Sequence, residues 1–455
     1  MKKLLLFCFF STQLISAQCW KIVDSGGGSV QAIKYDGTLW AWGWNNVGQL
    51  GVGHNNFVGT PQQVGTSSNW KTVSWGYHHA LAIKNDGTLW TWGWNNWGQV
   101  GNGTTINTMI PAQLGTATDW KYVSAGFHHS LAIKNNGTLW MWGSNNYGQL
   151  GDGSQNSRYT MYQVGTDTDW KMAKAGSGYT LALKNNGTLW GWGQNTSGQL
   201  GPGGIGMDLL PLQRGTDTDW KFIAAGTGSS FGIKNNGTLW AWGFNGHGNL
   251  GDGTTINRTN PVQIGTSATW KDVCPGLFHG AALKTDGTLW TWGGNTYGEL
   301  GDGTQTPHHI PMQVGTDTDW KYLNTNSNIF QIAVKNDDTL YAWGNNDWGN
   351  LGDGTTTQKL TPTFVNPPAP CEAMGTHEIT TQNSIMIYPV PAYSKLHLVS
   401  KFPILSTSIL DTSGRTIQQT GKIKDEIDIS GLQTGNYILE VNTKQGETSH
   451  KFIKK

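Results

Sequence analysis

The stretch Trp120-Lys-Tyr-Val-Ser-Ala-Gly126, followed by His129-Ser-Leu-Ala-Ile-Lys-Asn-Asn-Gly137 and Thr138-Leu-Trp-Met-Trp-Gly143, decides the fold. The first segment ends at a glycine and is typical of a short strand. The other two flank Asn136-Gly137, a dipeptide that favours the tight turn of a β-hairpin. After a loop, a fourth short strand ends at Val164-Gly165. The unit therefore predicts four short antiparallel strands and no helix.

This unit recurs seven times between residues 20 and 366. A Trp-Lys pair begins each copy, and the third strand recurs with its second Trp at Trp42, Trp92, Trp142, Trp192, Trp242, Trp292 and Trp343. The seventh copy is offset by one residue, which we assign to Asp337-Asp338, and Tyr341 replaces its first Trp. Four-stranded units repeated at this period are typical of a propeller. We therefore predict an all-β chain whose main domain is a seven-bladed β-propeller of about 50 residues per blade.

The segment Val123-Ser-Ala-Gly126-Phe-His-His129-Ser-Leu-Ala-Ile133, with the Asn-Gly-Thr-Leu-Trp-x-Trp-Gly and Asn-x-x-Gly-Gln-Leu-Gly motifs after it, resembles the regulator of chromosome condensation repeat family in all seven units. The resemblance implies a seven-bladed propeller, in agreement with the count of units. The histidine of the motif is present as His79, His129 and His279, and we expect Tyr179, Ser229, Ile329 and Val30 in its place elsewhere.

The tail after residue 366 has a different composition, beginning with Asn366-Pro-Pro-Ala-Pro370. Its motifs, Tyr388-Pro-Val-Pro-Ala392, Gly414-Arg415, Asp428-Ile-Ser-Gly-Leu432, Gly435-Asn-Tyr437 and Lys451-Phe-Ile-Lys-Lys455, resemble the type A sorting domain of the bacterial type IX secretion system, although Val390 stands where that family usually has Asn. Short alternating runs predict a small β-sandwich. The resemblance implies export across the outer membrane by the type IX secretion machinery, followed by release or surface attachment with or without removal of the tail.

The amino terminus predicts entry into the same export route. Lys2 and Lys3 precede the apolar run Leu4–Phe10 and the small-residue segment Ile15-Ser-Ala17, an order typical of a secretory signal peptide. We therefore divide the chain into a signal peptide (1–18), the propeller (19–366), a linker (367–382) and the sorting domain (383–455). The expected location is the medium or the cell surface, reached through the periplasm of a Gram-negative bacterium.

Two cysteines flank the propeller, Cys19 before the first blade and Cys371 after the last. Because a propeller brings its ends together and an exported protein meets oxidising conditions, we predict a Cys19–Cys371 disulfide. Lipidation of Cys19 is the second alternative, and Gln18 before it is a poor fit to the small residue that such a site needs. Cys274 occupies a position that holds Ser or Ala in other blades, so we expect it to be a small buried residue.

The charge distribution excludes several function classes. Residues 20–366 contain 16 Lys, 3 Arg and 21 acidic residues, and 14 of those Lys occupy two repeated positions. Lysines spread evenly around a ring form no basic patch, so we predict no nucleic-acid partner. The family's nuclear member, an exchange factor for a small GTPase, uses a wedge inserted between strands, for which these uniform units leave no room. Guanine-nucleotide exchange is therefore the last of the alternatives.

No catalytic or metal-binding constellation emerges from the motifs. The repeated Asp of the Gly-Asp-Gly loops (Asp152, Asp252, Asp302, Asp353) lacks the ligand spacing of a calcium loop, and the pairs His78-His79, His128-His129 and His308-His309 lack a Cys or acidic partner at ligand spacing. We therefore predict a non-enzyme without cofactor or metal. A hydrolase is a distant alternative, since no unique carboxylate pair or nucleophile–base arrangement stands out.

Candidate ligand-binding residues are those that break the repeat. Of 25 Trp, 20 occupy three repeated positions, and the other five are Trp44, Trp75, Trp94, Trp97 and Trp348. They belong to blades seven, one and two, which are neighbours in a closed ring, and Tyr77, His78, Phe127 and His128 lie in or next to that sector. Exposed aromatics suit a protein hot spot or a sugar face. We predict a monomeric binding scaffold for a protein or surface ligand, and the main alternative is a carbohydrate-binding lectin that uses these rings.

Overall fold

The computed structural model describes residues 20–324, 329–366, 385–388, 394–400, 403–411, 415–421, 426–444 and 446–454. These residues form strands, turns and loops, and none of them is helical. They belong to two compact units, Cys19–Pro370 and a second unit that contains Cys371–Lys455. No helix in the described ranges has the length and apolar composition of a membrane span.

The first unit consists of seven four-stranded sheets, each formed by four consecutive strands. Their bounds are as follows: blade 1, β1 (Trp20–Gly26), β2 (Ser29–Lys34), β3 (Leu39–Gly43), β4 (Val58–Gln63); blade 2, β5 (Trp70–Trp75), β6 (His79–Lys84), β7 (Leu89–Gly93), β8 (Thr108–Gln113); blade 3, β9 (Trp120–Ala125), β10 (His129–Lys134), β11 (Leu139–Gly143), β12 (Arg158–Gln163); blade 4, β13 (Trp170–Ala175), β14 (Tyr179–Lys184), β15 (Leu189–Asn195), β16 (Gly206–Gln213). The remaining blades are: blade 5, β17 (Trp220–Ala225), β18 (Ser229–Lys234), β19 (Leu239–Gly243), β20 (Arg258–Gln263); blade 6, β21 (Trp270–Pro275), β22 (His279–Lys284), β23 (Leu289–Gly293), β24 (His308–Gln313); blade 7, β25 (Trp320–Asn324), β26 (Phe330–Lys335), β27 (Leu340–Gly344), β28 (Lys359–Phe364).

Each blade is an antiparallel meander, so its connections alternate between the two faces of the ring. In blade 1, Gly26 pairs with Ser29, Ser29 with Gly43 and Gly43 with Val58, which places the β1–β2 turn and the β3–β4 loop at the same end. We call this end of all seven blades the loop face. The β2–β3 hairpin turn and the connection to the next blade form the opposite end, the turn face.

Tryptophans hold neighbouring blades together. The second Trp of the third strand is buried in every blade, and in six of them its indole Nε1 donates to a main-chain oxygen of the preceding blade, as Trp142 donates to Gln99 O at 2.8 Å. The motif histidine makes a second link, because His129 Nε2 lies 3.1 Å from Thr180 Oγ1, whose hydroxyl donates to Gln149 O. The repeated Trp and His residues therefore stabilise the interfaces between blades.

The same contacts close the ring between blades 7 and 1. The Trp42 indole donates to Asn350 O at 3.1 Å, and Asn324 Nδ2 donates to Asp24 Oδ1 at 2.6 Å. On the turn face, the buried Asp338 carboxylate accepts hydrogen bonds from Lys321 Nζ and Tyr35 OH. The propeller fold predicted from the seven repeats is confirmed.

The residues predicted at the histidine position of blades 1 and 7 are each wrong by one residue. In the described strands the motif histidine pairs with the glycine that ends the third strand, and the residues in that register are Ser29 in blade 1 and Phe330 in blade 7, not Val30 and Ile329. The extra residue of blade 7 therefore lies between Asn324 and Phe330 and not at Asp337-Asp338. Asp338 replaces the turn glycine of the other blades, and it adopts the positive φ of 63° that the turn requires.

One of the two repeated lysine positions lies at the end of the second strand, on the turn face, and its members are Lys34, Lys84, Lys134, Lys184, Lys234, Lys284 and Lys335. Lys84 Nζ lies 3.8 Å from the centroid of Trp90 and 4.7 Å from that of Trp70, and an equivalent cation–π arrangement recurs in every blade, with Tyr341 as one ring in blade 7. In blades 3, 4, 5 and 7 this lysine also pairs with aspartates, as Lys234 does with Asp217 at 2.7 Å. The turn face therefore carries charge in a repeated, internally paired form.

The second unit contains two sheets, as the alternating runs of the tail predict. Its strands are β29 (Ile385–Tyr388), β30 (Lys395–Ser400), β31 (Ile404–Leu410), β32 (Thr416–Thr420), β33 (Glu426–Asp428), β34 (Gly435–Thr443) and β35 (Gly446–Lys454). The sheet orders are β29-β30-β33 and β32-β31-β34-β35. Leu396, Ile409, Ile427, Leu439 and Phe452 belong to one buried cluster drawn from both sheets.

Candidate functional site

Seven of the nine predicted ligand-binding residues form one continuous row of rings on the loop face. Trp348 of blade 7 stacks on Trp44 of blade 1, with ring centroids 5.2 Å apart and an interplanar angle of 18°. The other side of the row continues from Trp44 to His78 of blade 2, at 4.5 Å and nearly perpendicular. The sector inferred from sequence is therefore a physical contact across the closure of the ring.

The row extends through blade 2 into blade 3. His78 contacts Trp94 at 5.8 Å, and Trp94 contacts His128 at 5.0 Å. Tyr77 stacks on Phe127 with centroids 4.1 Å apart and planes 14° from parallel. We call the seven residues Trp348, Trp44, His78, Tyr77, Trp94, His128 and Phe127 the aromatic row.

Main-chain hydrogen bonds fix the elements that carry these rings. Trp44 N donates to Gly28 O at 2.9 Å and Trp94 N donates to His78 O at 2.8 Å, so each β3–β4-type loop begins on the β1–β2-type turn of its own blade. Tyr77 N donates to Gly126 O at 3.1 Å and thereby joins the turns of blades 2 and 3. The ring positions therefore follow from the rigid strand ends and not from long loops.

A glycine makes room for the stack at the closure. Gly28 occupies the position that His78 and His128 hold in the next two blades, and it has a φ of 84°. A Cβ added at Gly28 would lie 3.5 Å from the Trp348 ring and 3.6 Å from Trp44 Cβ, with the positive φ opposing any side chain. The small residue thus leaves the space above the blade 1 turn to Trp348. Blades 4 and 5 also have glycine at this position, as Gly178 and Gly228, so Gly28 does not break the repeat and its role depends on the neighbouring Trp348.

Two of the predicted site residues lie elsewhere. The Trp75 side chain is fully buried in the cluster between blades 1 and 2, with Trp70 and Trp92, so its assignment to a ligand-binding surface is corrected to a packing role. Trp97 is partly exposed on the loop face, but among the described residues its ring contacts no other aromatic ring. The non-repeated Trp residues therefore divide into one core residue, one isolated residue and three members of the aromatic row.

The histidines of the row are uncharged at neutral pH. Burial, together with the smaller effect of the nearby His128, lowers the pKa of His78 to about 4. Burial also lowers the pKa of His128. The row therefore presents neutral rings over the physiological pH range.

Charged side chains are absent from the loops of blades 1 and 2 that surround the row. Residues 39–63 and 89–113 contain no Asp, Glu, Lys or Arg, whereas the corresponding segment of every other blade contains at least one. Val52 and Asn102 replace the loop aspartate. Asn46 and Asn96 are exposed, and each lies two residues after a Trp of the row, Trp44 or Trp94. Sequence analysis overlooked these amides, although a blade-by-blade count of charge would have revealed the neutral segment.

The aspartates of the Gly-Asp-Gly loops are used as turn residues. Asp152 Oδ1 accepts from Ser154 N and Ser154 Oγ, both at 2.9 Å, and Asp152 Oδ2 pairs with Arg158 Nε at 2.6 Å. Asp252 pairs with Arg258 and Asp302 with His308 in the same way. Their oxygens are thus occupied by N–H and O–H donors, and the described residues contain no cluster of three or more potential metal ligands.

A group of charges near the ring axis also escaped sequence analysis. Asp24, Lys174 and Asp272 break the repeat on the innermost strands, and burial raises the pKa of each carboxyl to about 6 while Lys174 opposes that rise. Asp24 accepts hydrogen bonds from Trp75 N and Ser25 N, both at 2.9 Å, and from Asn324 Nδ2. Asp24 therefore joins blades 7, 1 and 2, which is a structural task.

Of Cys19, Cys274 and Cys371, only Cys274 belongs to the described residues. Cys19 and Cys371 lie outside the described residues, so the disulfide between them stays a prediction. Cys274 is partly buried on the innermost strand of blade 6, with its Sγ 3.7 Å from Leu323 O.

Family models match both units of the chain. The regulator of chromosome condensation (RCC1) repeat matches residues 36–83, 86–133, 136–183, 236–283, 286–334 and 337–374, and a second model of that repeat matches 70–99, 120–149, 173–199 and 270–299. A secretion system C-terminal sorting domain matches residues 386–455. The first repeat model begins each match at the β2–β3-type turn, so one sequence repeat spans two adjacent blades.

Solved structures with the same architecture share little sequence with the chain. Human WBSCR16 has 21% identity and a TM-score of 0.66, with coverage of 73% of this chain and 94% of that one. Yeast RCC1 (Prp20), solved bound to Kap60, has 20% identity and a TM-score of 0.66, with coverage of 78% and 86%. No curated protein sequence matches the chain.

Proposed function

The chain belongs to the regulator of chromosome condensation (RCC1) repeat family, and from this premise we propose that it is an exported, non-catalytic propeller that binds a protein or surface ligand through the aromatic row. The C-terminal sorting domain indicates export through type IX secretion. Residues 1–18, proposed as the signal peptide, lie outside the described residues and would supply the first step of that route.

One observation carries the proposal. Four Trp and His side chains from three blades, Trp348, Trp44, His78 and Trp94, are in ring contact on the loop face, and Trp348 keeps 44% of its surface exposed. Partly exposed aromatic clusters on a rigid scaffold are typical of binding surfaces, because rings bury a large area with little loss of side-chain entropy.

A binding role also agrees with how the reactive side chains are used. The motif histidines His79 and His129 are buried, and each lies within hydrogen-bond distance of a hydroxyl group of the next blade. The loop aspartates accept turn hydrogen bonds, as Asp152 does. These side chains are committed to structure, which supports a non-catalytic assignment.

The test is capture from the native environment by immobilised full-length protein. Trp348→Ala and Phe127→Ala should each strongly reduce capture of the physiological ligand, because both rings belong to the row. Tyr297→Ala is the matched control, since Tyr297 of blade 6 occupies the repeat position that Trp348 holds in blade 7 and is not part of the row. Equal capture by both row variants and the control would remove the aromatic row as the binding surface.

A further inference from the structure

The chemistry around the aromatic row restricts its ligand. The loops of blades 1 and 2 that surround the row contain no Asp, Glu, Lys or Arg, and their hydrogen-bonding side chains are amides, hydroxyls, imidazoles and indoles. Asp347 lies beside Trp348 in blade 7, and its Oδ2 already accepts a hydrogen bond from Asn345 Nδ2 at 2.8 Å. A charged ligand would therefore lose hydration on this surface and gain little Coulomb energy in return.

Polar groups remain available next to the rings. Asn46 and Asn96 are exposed, and neither amide forms a hydrogen bond with a described residue. Their sequence neighbours Asn45 and Asn95 point inward instead, as shown by Asn45 Nδ2, which donates to His54 O at 2.8 Å, and by Asn95 Nδ2, which donates to Ile106 O at 3.1 Å. Each outward amide offers both donors and an acceptor, a combination that matches vicinal hydroxyl groups.

We propose that the aromatic row binds an uncharged glycan chain, with a pyranose ring packed on Trp348 and sugar hydroxyls hydrogen-bonded to Asn46 and Asn96. This inference rests on the proposed binding function of the row and names its ligand class. The C–H groups on one side of a pyranose form an apolar, weakly positive patch that complements the negative face of an indole. A chain of such sugars can follow a row of rings that crosses four adjacent blades.

Other ligand classes fit the same surface less well. Single-stranded nucleic acid also stacks on aromatic rings, but its phosphates need a positively charged groove, and the loops of blades 1 and 2 contain no Lys or Arg. Protein partners commonly bury Arg together with aromatic anchors inside a polar rim. The neutral amide surroundings of the row therefore favour a neutral sugar.

The experiment is affinity electrophoresis, which measures how far the full-length protein migrates in gels that contain a neutral glucan, mannan or xylan, or an anionic polyuronate. We expect at least one neutral polysaccharide to retard the protein, with equal strength in low and high salt, and the polyuronate to have no effect. Trp348→Ala should weaken binding about tenfold, the loss of one stacked ring. Asn96→Ala, an exposed substitution that keeps the rings, should weaken it as well, and Tyr297→Ala should not.

Two results would overturn the inference, and they differ in what they leave standing. If no neutral polysaccharide binds at millimolar concentration, but a protein is captured by the wild type and lost in Trp348→Ala, the glycan assignment fails and the binding row stands. If neither glycan nor protein binding changes in any row variant, the proposed function fails together with the inference. Retardation by polyuronate alone, abolished by salt, would also contradict a neutral ligand.

Discussion

Trp92 and Trp94 stand two residues apart at the end of one strand, yet they belong to different regions of the molecule. Trp92 occurs in every blade, is completely buried and fills the interface between blades 1 and 2. Trp94 has an equivalent Trp only in blade 1, is partly exposed and contacts His78 and His128 on the loop face. The comparison shows that repeated aromatics stabilise the ring, whereas three of the five Trp residues that break the repeat, Trp44, Trp94 and Trp348, contribute to a surface.

The same contrast separates the loops of the blades. In blades 3, 5 and 7 the loop aspartate forms an ion pair with an Arg or Lys six residues later, as in Asp152 and Arg158, and in blade 6 Asp302 lies 2.8 Å from His308 Nε2. Blades 1 and 2 replace this aspartate with Val52 and Asn102. Because turns tolerate both changes, the loss of charge here leaves the fold intact and alters only the chemistry of the surface.

Removal of a repeated Trp should have the largest effect on stability. Trp192 is fully buried and its indole donates to Gln149 O at 2.9 Å, so Trp192→Ala creates a cavity between blades 3 and 4. We expect the free energy of unfolding to fall by about 4 kcal/mol, measured by urea denaturation. A loss no larger than that of an exposed residue would contradict the structural role of the repeated Trp.

Removal of the buried charge at Glu299, in contrast, should increase the free energy of unfolding. Glu299 stands where most blades have Gln, it is 1% exposed, and burial raises its pKa from 4.5 to about 7. Between pH 4.5 and pH 7 the folded state therefore binds more protons than the unfolded state. The free energy of unfolding is highest below pH 4.5 and decreases as the pH rises through 7. Glu299→Gln should raise the free energy of unfolding by about 3 kcal/mol at pH 8.5.

At pH 4.5 the same variant should match the wild type, because the carboxyl is largely protonated in the native protein. Unfolding curves recorded at both pH values check this sign. A benefit that is equal at the two pH values would show that the substitution acts through packing and not through the charge of Glu299.

The histidine link between blades should have a smaller effect. Thr180→Val preserves shape but removes the hydroxyl that lies 3.1 Å from His129 Nε2, and it leaves a buried imidazole nitrogen without that partner. We expect a loss of about 2 kcal/mol in the free energy of unfolding. Thr180→Ser, which keeps the hydroxyl, is the control, and equal losses in both variants would assign the effect to the methyl group.

Much of this architecture could be predicted from the sequence because repetition multiplies a weak signal. One Trp-x-Trp-Gly strand is ambiguous, but six copies 50 residues apart, followed by a Tyr-x-Trp-Gly variant, establish strands, turns and blade number together. The aromatic row was partly predictable for the same reason, since Trp44, Trp94 and Trp348 depart from a known pattern. Departure alone could not separate Trp75, which fills the core, from residues that reach the surface.

Other features depend on contacts between distant residues. The extra residue of blade 7 was misplaced because a period locates an insertion only between two matching positions, whereas strand pairing shows that Phe330, and not Ile329, is in the histidine register. The grouping of Asp24, Lys174 and Asp272 near the axis also requires the ring to close. Each of these residues departs from its own repeat, but the sequence alone does not show that the three departures come together.

The measurement that tests the central claim most directly uses Trp348→Ala, with stability and binding determined on the same preparation. The ring is 44% exposed and lies outside the core between blades. We expect the free energy of unfolding to change by less than about 0.5 kcal/mol while the protein loses most of its affinity for the neutral polysaccharide. Unchanged affinity, or a loss of stability comparable with that of Trp192→Ala, would contradict the claim that repeated Trp residues form the core while the aromatic row, which breaks the repeat, forms the binding surface.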